Sequence, residues 1–367
     1  MQKNKYDFLL AGAGLFNAIV AREATRRGKR CLVVEKRGHF GGNVYCEQIS
    51  GINVHKYGAH IFHTCDKEVW DYMNELCEFN HYVNSPLARY GDKIYNLPFN
   101  MNTFYQLWQT RTPGEAMKVI ESQRIRNDSP ANLEEQALAL VGKDIYEILV
   151  KGYTEKQWGC EAGQLPAFLI RRLPVRFRYD NNYFDDPYQG IPVGGYNRIF
   201  AQCFRDCEMR YNTDFCQHRE WAKEAGTTVF TGMIDRYYDY CYGALEYRSL
   251  RFENKIMNIP DYQGNAVVNY TEREIPYTRI IEHKHFEFNY RTDTTVLTLE
   301  YPQSWTPELE PYYPVNTPEN EVIYSKYEQR ARGEKNVYFG GRLGCFKYYN
   351  MDQVVHSALM LVKELMG

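Results

Sequence analysis

The chain has 367 residues, 44% of them hydrophobic and 25% charged, with a formal net charge of −2. This balance excludes the dense basic surface that broad nucleic-acid binding needs, so an anionic ligand must be met by a local group of arginines. No apolar run approaches the roughly 18 residues that cross a bilayer, and no signal-peptide pattern precedes the first strand, so the expectation is a cytoplasmic protein without a membrane span, built from two or three subdomains.

In chain order, YDFLLAGAG predicts a buried parallel-type strand, FNAIVAREATRRG an amphipathic helix, and RCLVVEK a second buried strand. The turn between strand and helix carries Gly12 and Gly14, followed by Leu15 and Phe16. Gly12 permits the tight turn, and Gly14 lets backbone approach a pyrophosphate seated on the helix N-terminus. Glu35 ends the second strand 21 residues beyond Gly14, where a carboxylate accepts from ribose hydroxyls. Asn17 stands where the third glycine of the fingerprint belongs, and Ala18 beside it is small enough to keep helix and strand close.

After Glu35 and Lys36, Gly41-Gly42-Asn43 follows, a glycine pair that resembles the FAD-binding region of amine-oxidase-like flavoproteins. In the tail, Gly340-Gly341-Arg342 ends a predicted strand and a helix begins near Asn350-Met351. The positive end of that helix suits the pyrimidine side of a reduced flavin. FAD is therefore expected, not NAD. Gly194-Gly195 and Gly340-Gly341 are pairs and not a second fingerprint, so the chain lacks the NAD(P)H site of a pyridine-nucleotide reductase. Either an organic substrate reduces the flavin or the reaction has no net redox change.

From 98 to 165 the pattern is helical, with FNMNTFYQLWQ, TPGEAMKVIESQR and a single long helix over 132–159. Asn102-Thr103, Thr112-Pro113 and Asn132 are the expected caps. Prolines at 166, 174, 187 and 192 make 165–195 a loop with short strands. Between 242 and 302, AVVNYT, YTRIIEHKHFEFNY and TTVLTLEY alternate like antiparallel strands, which puts His283 and His285 on one strand face. The expected fold is α/β, with a discontinuous Rossmann-like FAD-binding domain (1–80, 191–241 and 315–367). A helical bundle (97–165) and an antiparallel sheet with its substrate loop (82–96, 166–190 and 242–314) are inserted into it.

The ten cysteines are scattered and read as reduced thiols. Cys203, Cys207, Cys216 and His218 lack the second close pair of a zinc site, and His60 and His63 have no carboxylate or cysteine at useful spacing, so no metal is expected.

HKYGAHIFHT (55–64), NLPFNMNTF, KGYTEKQWG, LPVRF, YQGIPVGGY, GALEYRSL, PYTRIIEHKHF, EPYYPV and GGRLG…KYYNMDQV occur in collinear order along nearly the whole chain. Together they closely resemble the bacterial UDP-galactopyranose mutase family. The resemblance implies an isomerase, commonly homodimeric, that interconverts UDP-galactopyranose and UDP-galactofuranose for surface polysaccharide such as lipopolysaccharide. Its FAD acts reduced, a reductant such as NAD(P)H being consumed only for activation, and flavin N5 forms a covalent adduct with galactose while UDP departs.

It further implies that Arg172, on a mobile loop, and Arg279, on a strand, grip the pyrophosphate. The same family pattern gives phosphate-binding hydroxyls to Tyr183, Tyr313 and Tyr348, a uridine wall to Tyr153 and Thr154, and a substrate-facing ring to Trp158. Asn84 and Asn269 are then hydrogen-bonding groups for sugar or nucleotide. His60, Ile61 and His63 lie against the flavin, with Gly341, Arg342, Tyr349, Asn350 and Met351 at its other side. Asn350 departs from the Asp of many family members. The alternatives are an amine-oxidase-like FAD oxidoreductase, or a mutase preferring a related UDP-sugar such as UDP-N-acetylgalactosamine.

Overall fold

The computed structural model of the chain describes residues 4–172, 175–288 and 292–367. Its first strand, Tyr6–Ala11, is buried on both faces, and each turn of the chain back into this layer adds a parallel neighbour. The resulting five-stranded sheet runs in the order Val337–Phe339, Ala225–Phe230, Tyr6–Ala11, Cys31–Val34, Glu208–Arg210. Such burial on both sides requires covering helices. Leu15–Arg26 lies on one face and packs against the C-terminal helix Met351–Met366. Asn17 is fully buried in this layer, and its Nδ2 donates to the carbonyls of Ala11 (3.1 Å) and Gly12 (2.8 Å). The amide thus ties helix to strand by hydrogen bonds where a third glycine would do so by close approach.

The second sheet has seven strands, ordered Tyr313–Pro314, Tyr247–Met257, Thr295–Ser304, Arg279–Glu282, Val267–Tyr270, Leu87–Tyr90, Lys93–Asn96. All its pairs are antiparallel except Val267–Tyr270 with Leu87–Tyr90. Its longest member, Tyr247–Met257, was not singled out by alternation, because RFENKIM is polar on both sides near its exposed end. The strand expected over 277–290 stops at Glu282, and His283–Phe286 coils into a 3₁₀ turn. His283 and His285 therefore do not share a strand face. His283 is fully buried, whereas His285 stands beside Glu282 and Asp261.

Helices form the third layer. Thr112 caps Pro113–Gln123 and Asn132 caps Leu133–Val141, as their side-chain oxygens accept from the N3 amides. The preceding helix, Met101–Trp108, is capped by Asn100 and not by Asn102–Thr103. Thr103 fills the N3 place of that capping box, its hydroxyl accepting from the Asn100 amide at 3.1 Å.

The single helix expected over 132–159 is broken. At Gly142 φ is +77°, and a Cβ there would lie 2.9 Å from Cβ of Gln123. Beyond it the chain continues as the turn Lys143–Ile145, the wide turn Tyr146–Lys151 and the helix Gly152–Trp158. Gly152 lets this last helix touch the sheet, since a Cβ would lie 2.4 Å from the carbonyl oxygen of Thr271. One turn on, Lys156 Nζ donates to the carbonyls of Tyr270 (2.7 Å), Ile275 (2.9 Å) and Tyr277 (3.0 Å). Burial lowers its pKa to about 8.

Helix propensity alone says that Gly152→Ala stabilises the chain. The close approach to Thr271 reverses that sign. The substitution lowers unfolding free energy by about 1–3 kcal/mol, read from the urea midpoint, and an unchanged or higher midpoint contradicts the packing.

Candidate active site

Two cavities concern the site, and the turn Gly58–His60 lines one of them and abuts Glu300 of the other. The smaller, of about 250 Å³, opens beside the first strand–helix turn. Gly12, Gly14, Leu15, Phe16 and Glu35 line it, and Lys36, Gly42, Asn43 and His60 continue the wall. Gly12 has φ +102°, and a Cβ on it would strike Thr231 Oγ1 at 2.3 Å. At Gly14, the N-cap of Leu15–Arg26, a Cβ would meet nothing within 4 Å, so backbone is open to a ligand there. Glu35 accepts from the amides of Ala13 (2.7 Å) and Arg37 (2.9 Å), which holds the glycine turn in place.

Arg37 was missed in the sequence because it stands two residues past the ribose-binding acid. It lines the cavity, and Nη2 donates to Asn43 (2.9 Å) and Glu310 (3.0 Å). Its Nη1 is buried without a partner among the described residues. An orphaned cationic N–H, an open glycine and a twelve-residue helix starting at the cavity fit an anionic dinucleotide. The tail completes the rim with Gly341, Arg342, Tyr349 and Met351. Arg342 is oriented by the carbonyls of Tyr312 (3.2 Å) and Tyr349 (2.6 Å). Asn350 is exposed at the N-cap of Met351–Met366, where its amide donates to Gln353 Oε1 (2.9 Å), and it is not part of the cavity wall. Ile61 packs against the apolar core beneath the sheet.

The larger cavity, of about 390 Å³, lies between the helical layer and the seven-stranded sheet. Tyr153, Thr154 and Trp158 reach it from the helix Gly152–Trp158, Asn269 and Arg279 from strands, and Tyr183, Tyr313 and Tyr348 from separate segments. Arg279 donates from Nε (2.9 Å) and Nη2 (2.7 Å) to one carboxylate oxygen of Glu300, directly across the strand pair. Glu300 is almost fully buried and holds the guanidinium charged against the cost of burial. Burial raises the pKa of Tyr153, Tyr183 and Tyr313, so their hydroxyls stay protonated donors. Gln157 Nε2 donates to Tyr313 Oη at 3.0 Å. The opposite end is apolar, walled by Leu97, Phe99, Leu133, Leu149, Val150 and Ile170.

The structure places the remaining candidates elsewhere or at the edge. Asn84 is absent from either wall; its carbonyl accepts from the Tyr183 amide at 2.7 Å, and its buried Oδ1 has no partner among the described residues. His63 pairs through Nδ1 with Asp186 and stacks on Phe184 at 3.7 Å, away from both walls. Arg172 ends the turn Ala167–Arg172, and its side chain lies outside the described part of the structure. Of its neighbours, Arg176 is buried against Asp185 (2.6 Å) and Arg178 is exposed beside Asp180 (3.1 Å).

His60 Nδ1 donates to the Gly58 carbonyl (2.8 Å), and Tyr196 Oη donates to the His60 carbonyl (3.0 Å). Gly58 has φ +97°, and a Cβ on it would sit 3.1 Å from Glu300 Oε2. The turn thus touches the Arg279 partner on one side and lines the dinucleotide cavity on the other. Burial depresses the pKa of His60 to about 4. Asp261, Glu282 and His285 form the one cluster of potential metal ligands among the described residues. Lys284 and the amides of Tyr262 and Gln263 already engage its carboxylates.

A glycine-fingerprint parallel sheet joined to a sheet-and-helix unit with a cation-and-hydroxyl cavity defines a dinucleotide-binding enzyme of the Rossmann-like class. A family model described as NAD(P)-binding Rossmann-like domain matches residues 11–76, and one described as UDP-galactopyranose mutase matches residues 148–348. The chain belongs to the UDP-galactopyranose mutase family, a family of isomerases. It is 38% identical to the probable UDP-galactopyranose mutase of Klebsiella pneumoniae, over 99% of this chain and 96% of that one. It is also 38% identical to a dTDP-fucopyranose mutase of Escherichia coli, over 96% of each. A crystal structure of reduced UDP-galactopyranose mutase shares the fold, with a TM-score of 0.76 at 15% identity over 99% of this chain and 96% of that one. A putative protoporphyrinogen oxidase from Exiguobacterium shares it more loosely, at 0.66 and 12% over 98% of each. No helix among the described residues is long and apolar enough to cross a membrane.

His55 and His283 are buried, and desolvation depresses their pKa values as it does that of His60, to well below the usual range and to about 3 respectively. All three are depressed, so below pH 6.5 the unfolded chain binds protons that the native state refuses. Stability therefore falls with pH from 6.5 towards 4, by about 1.4 kcal/mol per pH unit for each such histidine. His285, raised by its bond to Glu282, acts in the opposite sense: it stabilises below pH 6.5, and this is lost as pH rises through its own value. Labelled-histidine NMR is expected to show three of the nine histidines failing to titrate between pH 8 and 5. A midpoint above 6 for His283 contradicts its buried neutral state.

Proposed function

We propose that the chain interconverts UDP-galactopyranose and UDP-galactofuranose, with FAD in the smaller cavity and the nucleotide sugar in the larger, supplying galactofuranose for cell-surface polysaccharide. The observation that carries this reading is the half-buried Arg279 held by the buried Glu300 among tyrosine hydroxyls, with Gly58 of the turn that lines the dinucleotide cavity abutting the same carboxylate. Arg279 Nε and Nη2 are committed to Glu300, which leaves the Nη1 edge for a pyrophosphate oxygen. Tyr183, Tyr313 and Tyr348 add hydroxyls without adding charge. Arg172 is the second cation in this reading, closing the anion from the loop side.

The apolar end suits the base, which stacks at Tyr153 while Thr154 and Asn269 offer hydrogen bonds. The sugar then points towards Gly58–His60 and the cofactor. The chemistry supplied there is that of reduced FAD, a nucleophilic nitrogen for the anomeric carbon with no net redox change. His60, with its proton on Nδ1, presents Nε2 as an acceptor at that wall. The protein's own part is to hold the departed UDP in place and keep water from the sugar.

A second reading, a mutase for a dTDP-linked sugar, is favoured by the name of the Escherichia coli relative and by aliphatic walls that accept a thymine methyl. An amine-oxidase-like reaction is disfavoured, because a cation and several hydroxyls would face an amine or hydrocarbon.

Dithionite-reduced protein loaded with FAD is expected to convert UDP-galactopyranose to the furanose, resolved by anion-exchange chromatography alongside dTDP-fucopyranose and UDP-N-acetylgalactosamine. Arg279→Lys loses the planar fork and weakens UDP binding about 10–100-fold, or ~1.5–3 kcal/mol. Flavin-loaded protein that converts none of the three sugars overturns the reading.

A further inference from the structure

We propose that His283 and His55 are positioning residues that fix the Gly58–His60 turn, which lines the smaller cavity and abuts Glu300 of the larger, so that the strand gripping the nucleotide sugar also sets the protein face presented to the cofactor. This rests on the assignment of FAD and nucleotide sugar to those cavities. The inference comes from a line of hydrogen bonds through buried imidazoles.

The His60 amide donates to His55 Nδ1 at 3.2 Å, and the His55 amide donates to His283 Nδ1 at 3.1 Å. With Nδ1 accepting, His283 carries its hydrogen on Nε2 and gives it to Thr298 Oγ1 at 2.6 Å. Thr298 passes its own hydroxyl hydrogen to Asn254 Oδ1 at 2.7 Å. Every donor in the line has one acceptor, and the direction is fixed by the two backbone amides, which only donate. The line works only with neutral imidazoles, since a protonated Nδ1 would face an N–H with an N–H. The site imposes that neutrality: both rings are buried, and His55 stacks on Phe286 with centroids 4.6 Å apart and planes 7° apart.

The other end of the argument is the strand Arg279–Glu282, which begins at Arg279 and hands over to His283 at its end. Its neighbour Thr295–Ser304 supplies both partners, Glu300 for Arg279 and Thr298 for His283. Gly58 abuts the same Glu300 carboxylate. One strand pair therefore holds the phosphate-gripping cation and, four residues on, the anchor of the cofactor-side turn. An aliphatic residue at 283 would fill the volume and remove both polar connections at once. An asparagine keeps an acceptor near the place of Nδ1.

The test uses flavin-loaded protein with His283→Leu, His283→Asn and Thr298→Val. His283→Leu is expected to lower kcat about tenfold with KM for UDP-galactopyranose little changed. It also alters the flavin absorbance and changes the relative affinity for oxidised and reduced flavin about tenfold, a shift of ~30 mV for a two-electron couple. His283→Asn recovers most of each loss, and Thr298→Val falls between. His283→Leu with the spectrum, potential and kcat of the unmodified protein overturns the proposal, whatever its melting temperature, because packing alone then explains the residue. If His283→Leu does not fold, Thr298→Val decides by the same readouts.

Hydrogen exchange at the His60 amide separates this inference from the functional reading. It accelerates in Thr298→Val if the line exists, even where no sugar is turned over, and unchanged exchange overturns the line while leaving mutase activity untouched.

Discussion

The contact of Arg279 with Glu300 sets the terms for the larger cavity. A guanidinium taken out of water needs a carboxylate at close range, and a buried pair with one member removed is strongly destabilising. Glu300 satisfies Arg279 in the folded protein before any ligand arrives. The pair is electrically neutral, however, so it cannot by itself balance the two or more negative charges of a nucleotide diphosphate. The remaining attraction has to come from dipoles and from cations that arrive with the ligand. That accounts for the tyrosines: a buried phenol, held protonated, donates to an oxyanion and costs no uncompensated charge when the cavity is empty. A permanent second cation among these side chains would need a counter-ion of its own.

The two cavities differ in how much of them the sequence reveals. The dinucleotide cavity is local: Gly12, Gly14 and Glu35 fall within one strand–helix–strand unit, and spacing alone places them on one wall. The larger cavity draws on segments near 153, 183, 269, 279, 313 and 348, brought together only by the sheet order. No periodicity links them, and only the family resemblance picked them out. Glu300 escaped notice for the same reason. In TTVLTLEY it is an ordinary strand carboxylate until the register sets it opposite Arg279.

Where structure and expectation differ, a distant backbone or side-chain group is the cause. Gly142 and Gly152 fall inside the helix expected over 132–159, and the sequence carries no sign of Gln123 or the Thr271 carbonyl standing where a Cβ would go. His283 and His285 alternate like strand residues, but the strand ends at Glu282, whose carboxylate takes two amides of the opposite loop and turns the chain. Asn17 departs from the third glycine of the fingerprint, with the small Ala18 beside it. The amide instead makes its own contribution, bonding the two carbonyls that frame the fingerprint turn. In each case a local residue type was judged by its local role, and a distant backbone group decided the outcome.

The proposed reaction, in which a sugar leaves its nucleotide and returns to it, makes a demand that ordinary binding sites do not. The cofactor and the detached nucleotide must stay in register with each other to within a bond length while no covalent link joins them. Two cavities on separately moving domains would meet that poorly. Here the Gly58–His60 turn lines one cavity through His60 and abuts Glu300 of the other, and its contacts lead to the strand pair that carries Arg279 and Glu300. The strand Arg279–Glu282 is held along its length by its pairing with Thr295–Ser304, and His283 follows directly at its end. In that reading the position of the phosphate grip relative to the cofactor wall is a property of the backbone.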